Sequence, residues 1–83
     1  MDYTKDYVKD VVEKYGEVFF VLDSGERYEV HGTDELSFGR APNPSAASTD
    51  YVMVHVEGMH DGELLKVDFP IESIEHHASH KEL

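Results

Sequence analysis

The sequence predicts an α+β fold: an N-terminal helix packed across an antiparallel sheet of about four to five strands, curled into a small open barrel. Three observations predict it. The densest apolar run, residues 18–22, is followed by a turn signal and by polar/apolar alternation over residues 27–31. An apolar stripe with helical spacing precedes this hairpin, and two more alternating segments follow it. At 83 residues the chain fits a single domain, residues 1–83, with a core large enough to fold alone.

The first segment, residues 2–15, is predicted to be an amphipathic helix. Its apolar residues recur at helical spacing: Tyr3, Tyr7, Val8, Val11, Val12 and Tyr15. Asp2 is the predicted N-cap, and Gly16 stands where a left-handed residue is favoured at the end of a helix. Short helices are marginal alone, so we expect this apolar stripe to pack on the sheet.

The next segment predicts a β-hairpin. Residues 18–22 are uninterruptedly apolar, too short for a helix and typical of a strand buried on both faces. Residues 23–26 supply the turn, where Gly25 accepts a positive φ without a steric penalty. Tyr28 and Val30 then alternate with polar residues, which indicates one solvent-facing side. We therefore expect the first strand to be central and the second to be more peripheral.

Regular patterning is lost after this hairpin. Residues 39–49 are small, include two prolines and carry Arg40 as their only ionised side chain. A long segment without periodicity is typical of a flexible surface loop, or of a loop that contacts a ligand or partner. We predict a flexible internal loop at about residues 39–50.

Two further strands are predicted beyond the loop. Their inward-facing positions are Val52, Val54, Val56, Leu65, Val67 and Phe69. The Asp61-Gly62 pair favours a hairpin turn within residues 58–62, and Pro70 should end the second of these strands. Two alternatives stay open for residues 71–80: a helical turn or a last short strand.

Charge is the strongest feature of the composition. The chain has 18 acidic and 7 basic residues, a formal net charge of −11. Binding to free nucleic acid is not expected, because affinity there comes mainly from neutralising phosphates. The acids are spread along the chain, which favours a solvated acidic shell adapted to high salt. The alternative is an acidic face that meets a basic partner.

Composition also bears on location. The chain has no cysteine and therefore no disulfide or thiolate metal site, which suits a reducing compartment. No apolar run approaches about 18 residues, and no secretory leader pattern is present. We expect a cytoplasmic protein that does not contact the membrane.

No enzyme signature is found in the sequence, and we predict neither an enzyme nor a cofactor. There is no cysteine nucleophile, no Gly-x-Ser-x-Gly elbow and no phosphate-binding glycine loop. The six histidines are the one metal-capable set. His76 and His80, four residues apart, would share one helix face and are the predicted metal ligands. His31 and His55 can meet only if their strands are neighbours.

A contact surface is predicted where the protein is least charged. Tyr51, Met53 and His55 lie on the second face of the third predicted strand, and Arg40 lies in the loop before it. We predict that these residues contact a protein partner or a second copy of the chain. The alternative is that the helix or a fifth strand covers this face. The leading functional prediction is thus a small acidic interaction domain, with metal binding as an alternative.

The order helix, strand, glycine turn, strand is similar to the start of the Sm-like RNA-binding barrels. The resemblance covers about the first 31 residues and rests on one pattern: Val18-x-Phe20-x-Leu22-x-x-Gly25-x-x-Tyr28. It implies a small barrel with a nucleic-acid-related role. The Arg-Gly motif of that family has no counterpart near the C-terminus, where residues 69–74 read Phe-Pro-Ile-Glu-Ser-Ile. No RNA-binding residue is therefore carried over.

Overall fold

A computed structural model of the chain describes residues 3–42 and 51–79. In chain order its elements are α1 (Lys5–Tyr15), β1 (Val18–Leu22), β2 (Arg27–Val30), the 3₁₀ helix η1 (Thr33–Glu35), β3 (Leu36–Ala41), β4 (Tyr51–His60), β5 (Glu63–Pro70), the 3₁₀ helix η2 (Ile71–Ser73) and β6 (Ile74–Ser79). Across those two ranges, no helix is long and apolar enough to cross a membrane.

The helix α1 begins later than predicted. Thr4, not Asp2, is the N-cap, because its hydroxyl accepts a hydrogen bond from the backbone N–H of Tyr7 at 3.1 Å. The helix ends as predicted at Gly16, which has a φ of 81° and donates its N–H to the carbonyl of Val12. The apolar stripe is confirmed by the buried residues of the helix: Val8, Val11 and Val12.

The strands form two antiparallel sheets of three strands each, ordered β2-β1-β6 and β3-β4-β5. β1 is central, as predicted. Residues 71–79, for which a helical turn and a short strand were the two alternatives, form η2 and then β6, which pairs with β1. The α+β class and the antiparallel pairing are confirmed, but the prediction of four to five strands in one sheet is wrong, and the described strands form no closed barrel. Alternation identifies the inward side of a strand but not its neighbours. Here the chain leaves the first sheet after β2 and enters the second through η1.

β4 and β5 form a long hairpin. Its turn residues, Asp61 and Gly62, have φ values of 54° and 83°, the left-handed conformation that an Asp-Gly turn of type I′ requires. The turn is where the sequence predicts it, but β4 continues to His60. Gly58 therefore lies within the strand and not in the connection.

β3 extends into the segment predicted to be a loop. Gly39 and Arg40 belong to this strand and pair with Met53 and Val52 of β4. From residue 43 onward the predicted loop lies outside the described residues, so its mobility stays a prediction.

The helix and both sheets share one apolar core. Its buried residues are Tyr3, Val8, Val11, Val12, Val18, Phe20, Leu22, Val30, Val54, Val56, Phe69, Ile71 and Ile74. Four residues predicted to be core are only partly buried and pack against it: Tyr28, Val52, Leu65 and Val67. We call the face of each sheet that contacts this core the inner face, and the opposite one the outer face.

Candidate metal centre

Four titratable side chains meet where the chain passes from the first sheet to the second. Glu29 lies in β2, His31 directly follows that strand, Glu35 ends η1, and His60 ends β4. The short β2–η1 connection keeps the first three close together. The fourth, His60, is the last residue of the ten-residue strand β4. We call these four residues the His/Glu cluster.

The two imidazoles of the cluster are stacked face to face. The ring centroids of His31 and His60 are 3.8 Å apart, and the ring planes differ by 12°. Each ring contacts one carboxylate. His31 Nε2 lies 2.7 Å from Glu29 Oε1, and His60 Nε2 lies 2.8 Å from Glu35 Oε1. One potential ligand atom each from Glu29, His31 and His60 lies within 4.8 Å of the other two.

Glu35 and His60 are the most enclosed members of the cluster, with side chains only 12% and 14% exposed. Glu35 Oε1 also accepts a hydrogen bond from the backbone N–H of His31 at 2.8 Å. Its carboxylate lies against Gly58 of β4, which has no side chain to displace it. Glu35 therefore holds both histidines in place: it contacts the backbone N–H of His31 and the ring of His60.

These contacts also shift the pKa values of two residues of the His/Glu cluster, His31 and Glu35. The hydrogen bond with Glu29 raises the pKa of His31 above its ordinary 6.5, although burial acts in the opposite direction. Burial alone would raise the pKa of Glu35. The hydrogen bonds from the backbone N–H of His31 and from His60 outweigh that effect and lower the pKa below 4.5. Glu35 is therefore ionised at neutral pH.

The histidines singled out in the sequence are placed elsewhere or have other partners. His76 is exposed in β6, so the helical-face argument for it does not apply. His80 lies outside the described residues, and metal binding by that pair stays a prediction. His31 follows β2, whereas His55 lies in β4 of the other sheet, and the ring that stacks on His31 is that of His60.

The predicted partner-binding residues are divided between the two faces of the second sheet. Arg40 pairs with Val52 and so lies on the inner face, next to the helix residue Lys5 in a shallow depression. Tyr51, Met53 and His55 alternate with the buried valines of β4 and lie on the outer face. Within residues 3–42 and 51–79 neither predicted cover occupies that face, because β6 pairs with β1 and the valines of α1 pack in the core.

His55 has the most polar contacts on that outer face. Its Nδ1 lies 2.5 Å from Asp68 Oδ1, and its Nε2 lies 3.3 Å from Glu57 Oε1. The hydrogen bond with Asp68 raises the pKa of His55, although desolvation of the ring acts in the opposite direction. Beside the ring, an open depression of about 460 Å³ is lined by Met53, His55, Asp68 and residues 37–41 of β3. Tyr51 lines a different depression.

Reasoning from the sequence missed Glu29, Glu35 and His60. These residues form no metal-binding motif of fixed spacing in the sequence. His60 is 25 residues from Glu35 and reaches it only through the pairing of the strands. One signal was available: the Asp61-Gly62 turn fixes where β4 ends, and so places His60 at a strand terminus. Which sheet that terminus would approach could not be derived.

The chain was compared with protein-family models, with curated proteins and with solved structures, and none of the three comparisons found a match.

Proposed function

We propose that this protein binds one divalent transition-metal ion, with Glu29, His31 and His60 as ligands and Glu35 as the residue that orients His60. Metal binding is one of the functions that the sequence suggests, but the proposed ligands differ from the predicted pair. The observation that carries the proposal is the convergence of three donor atoms from two sheets to within 4.8 Å of one another.

The size of the cluster supports the proposal. Donors bound to one Zn²⁺ at about 2.1 Å in tetrahedral geometry lie about 3.4 Å apart. The three proposed ligand atoms, one each from Glu29, His31 and His60, are at most 4.8 Å apart, so modest side-chain rotations would bring them to that separation. Three protein ligands would leave one coordination position for water or another small ligand.

Glu35 has the position of a supporting carboxylate. A metal-bound histidine usually donates its other ring N–H to a carboxylate or carbonyl, which fixes the tautomer and the ring orientation. His60 Nε2 lies 2.8 Å from Glu35 Oε1, which leaves Nδ1 as the ring atom with a lone pair for the metal. Because Glu35 also accepts from the backbone N–H of His31, one carboxylate would hold both histidines in place.

The donor set indicates the class of ion. Two imidazoles and a carboxylate suit Zn²⁺, Fe²⁺, Ni²⁺ and Cu²⁺, whereas Ca²⁺ and Mg²⁺ prefer oxygen ligands throughout. The carboxylates would offset part of the charge of a divalent ion in this partly enclosed place. We therefore expect neither Ca²⁺ nor Mg²⁺ to bind at the His/Glu cluster.

Titration of the full chain with Zn²⁺ against a chromophoric chelator at neutral pH tests the proposal. We expect one strong site per chain, and about 10- to 100-fold weaker binding when Glu35, which lies outside the ligand set, is changed to Gln. His60→Ala and Glu29→Gln should abolish the strong site. Backbone NMR of the wild type should place the largest shifts in β2, η1 and the end of β4.

The matched control is His76→Ala, which removes an exposed histidine from a different sheet edge. It should leave the strong site intact. A strong site that survives His60→Ala but is lost in His76→Ala would transfer metal binding to the C-terminal histidines and overturn the proposal. Folding of each variant is checked without metal by its amide spectrum.

A further inference from the structure

The outer face of the second sheet has a regular arrangement along β4. Cross-strand pairing places Met59 beside Leu64 near the hairpin turn, followed by the Glu57–Lys66 pair. The His55–Asp68 and Met53–Pro70 pairs complete the face toward the other end of the strand. We call the two central pairs, Glu57–Lys66 and His55–Asp68, the polar belt; an apolar pair lies at each end of it. Successive pairs are about 6.7 Å apart, because they are two residues apart along a strand.

The apolar end near the turn is unusually open. Met59 and Leu64 are each 62% exposed, and they are the only large hydrophobic residues so open to solvent in the part of the chain that the structure describes. Methionine is a common residue at binding surfaces because its unbranched side chain adapts to different partners. A cross-strand pair of large apolar side chains in water is therefore a candidate contact point.

The polar belt carries two carboxylates that face solvent. The side chain of Asp68 is 61% exposed and that of Glu57 51%. Lys66, 3.9 Å from Glu57, is the one lysine of this belt in the described hairpin, and His55 lies between the two acids. The belt therefore offers hydrogen-bond acceptors to a cationic side chain, within a chain of net charge −11.

We propose that this outer face binds an extended, basic segment of a partner protein, with leucine-like side chains at both ends and lysine or arginine between them. An extended segment repeats its side chains about every 6.7 Å on one side. Its apolar ends would pack on the Met59–Leu64 and Met53–Pro70 pairs. Its cations would meet Glu57 and Asp68, and the charge of the whole chain would speed the encounter.

Charge argues against a second copy of the chain as the occupant. Two copies meeting through this face would bring together two bodies that each carry a net charge of −11, and each belt has one lysine, Lys66, to offset its acids. Such like-charge contacts are costly unless cations intervene. A basic partner meets both requirements of the face, apolar contact and positive charge.

The test uses a fluorescent peptide, Leu-Thr-Lys-Thr-Lys-Thr-Leu, and its counterpart with glutamate in place of both lysines. We expect the lysine peptide to bind the full chain and the glutamate peptide not to bind, as measured by fluorescence anisotropy. The double variant Met59→Gln, Leu64→Gln should weaken binding about tenfold or more, since the loss of a well-packed apolar contact at an interface commonly costs that much. The wild-type amide spectrum should shift in β4 and β5.

The control variant is Val21→Gln, which changes an apolar residue on the outer face of the first sheet. It should bind the lysine peptide like the wild type. Equal binding of both peptides, no binding of either, or an equal loss in Val21→Gln would overturn the proposal. Sedimentation of the wild type as a dimer that the double variant abolishes would also overturn it, by assigning the face to a second copy.

Discussion

Glu35 occupies the space in which a side chain at residue 58 would lie. A Cβ built on Gly58 would stand 2.0 Å from Glu35 Oε2 and 2.3 Å from Glu35 Cδ, far inside van der Waals contact. The two positions are therefore coupled: the carboxylate can hold the two histidines only while residue 58 is glycine. β4 thus contributes to the His/Glu cluster twice, through the ring of His60 and through the missing side chain two residues earlier.

The coupling predicts the effect of Gly58→Ala. The methyl group should displace the Glu35 carboxylate and break its hydrogen bonds to His31 and His60, lowering the free energy of unfolding by about 1–3 kcal/mol. Zn²⁺ affinity should fall about 10- to 100-fold if Glu35 orients a ligand. Urea denaturation and the chelator titration measure the two effects.

Gly39→Ala is the matched control, since a Cβ there meets nothing within 4 Å. It should change stability by no more than about 0.5 kcal/mol, or raise it slightly by restricting the unfolded chain. When Glu35 is also changed to Ala, Gly58→Ala should lower the free energy of unfolding much less, because the carboxylate that the methyl group would displace is gone. An unchanged cost in that background would show that the clash lies elsewhere.

A second prediction concerns the titration of His55. Its hydrogen bond with Asp68 raises the imidazole pKa above 6.5, so the folded state binds the proton more tightly than the unfolded state. The resulting stabilisation is present in full below about pH 6.5 and is lost as the pH rises through the folded-state pKa. Asp68→Asn should lower the pKa and remove most of this pH dependence, as followed by NMR of the ring protons.

Glu75→Gln, on the first sheet, is the control for that titration. It removes one negative charge, as Asp68→Asn does, but leaves the hydrogen bond intact. If both variants lowered the pKa of His55 equally, the shift would come from the overall charge of the chain and not from the contact with Asp68.

A third prediction concerns the hydrogen bond between Tyr3, which precedes α1, and His77 of β6. The hydroxyl of buried Tyr3 lies 2.7 Å from His77 Nδ1, and burial raises the pKa of that phenol. Tyr3→Phe keeps the ring packing and should cost about 1 kcal/mol of unfolding free energy. Tyr7→Phe is the control: this ring stacks on Tyr3 at 5.3 Å, and its hydroxyl has no hydrogen bond among residues 3–42 and 51–79. Equal losses in both variants would contradict the prediction.

A fourth prediction follows from the net charge of −11. Raising the salt concentration from about 0.1 M to 1 M shortens the Debye length from about 10 Å to about 3 Å, which screens repulsion within the acidic shell. The melting temperature of the metal-free chain should therefore rise by several degrees. A flat or falling melting temperature, measured by circular dichroism, would contradict adaptation to high salt.

Local elements were predictable because their causes lie within short stretches of the sequence. The apolar stripe gives α1, the run followed by alternation gives β1 and β2, and Asp61-Gly62 gives the hairpin. The division into two sheets was not predictable, because alternation fixes the inner face of a strand and leaves its neighbours undetermined. The His/Glu cluster depends on that division. β2 and β4 lie in different sheets, and His31, which follows β2, stacks on His60 at the end of β4.

The spacing of the His/Glu cluster along the chain has a consequence for folding kinetics. Glu29, His31 and Glu35 are close in sequence, but His60 joins them only after a loop of 25 residues has closed and β4 has found its register. An ion that needs Glu29, His31 and His60 together binds after that step, so it should stabilise the native state more than a transition state in which β4 has not found its register. Bound metal should then slow unfolding and leave the rate of folding nearly unchanged.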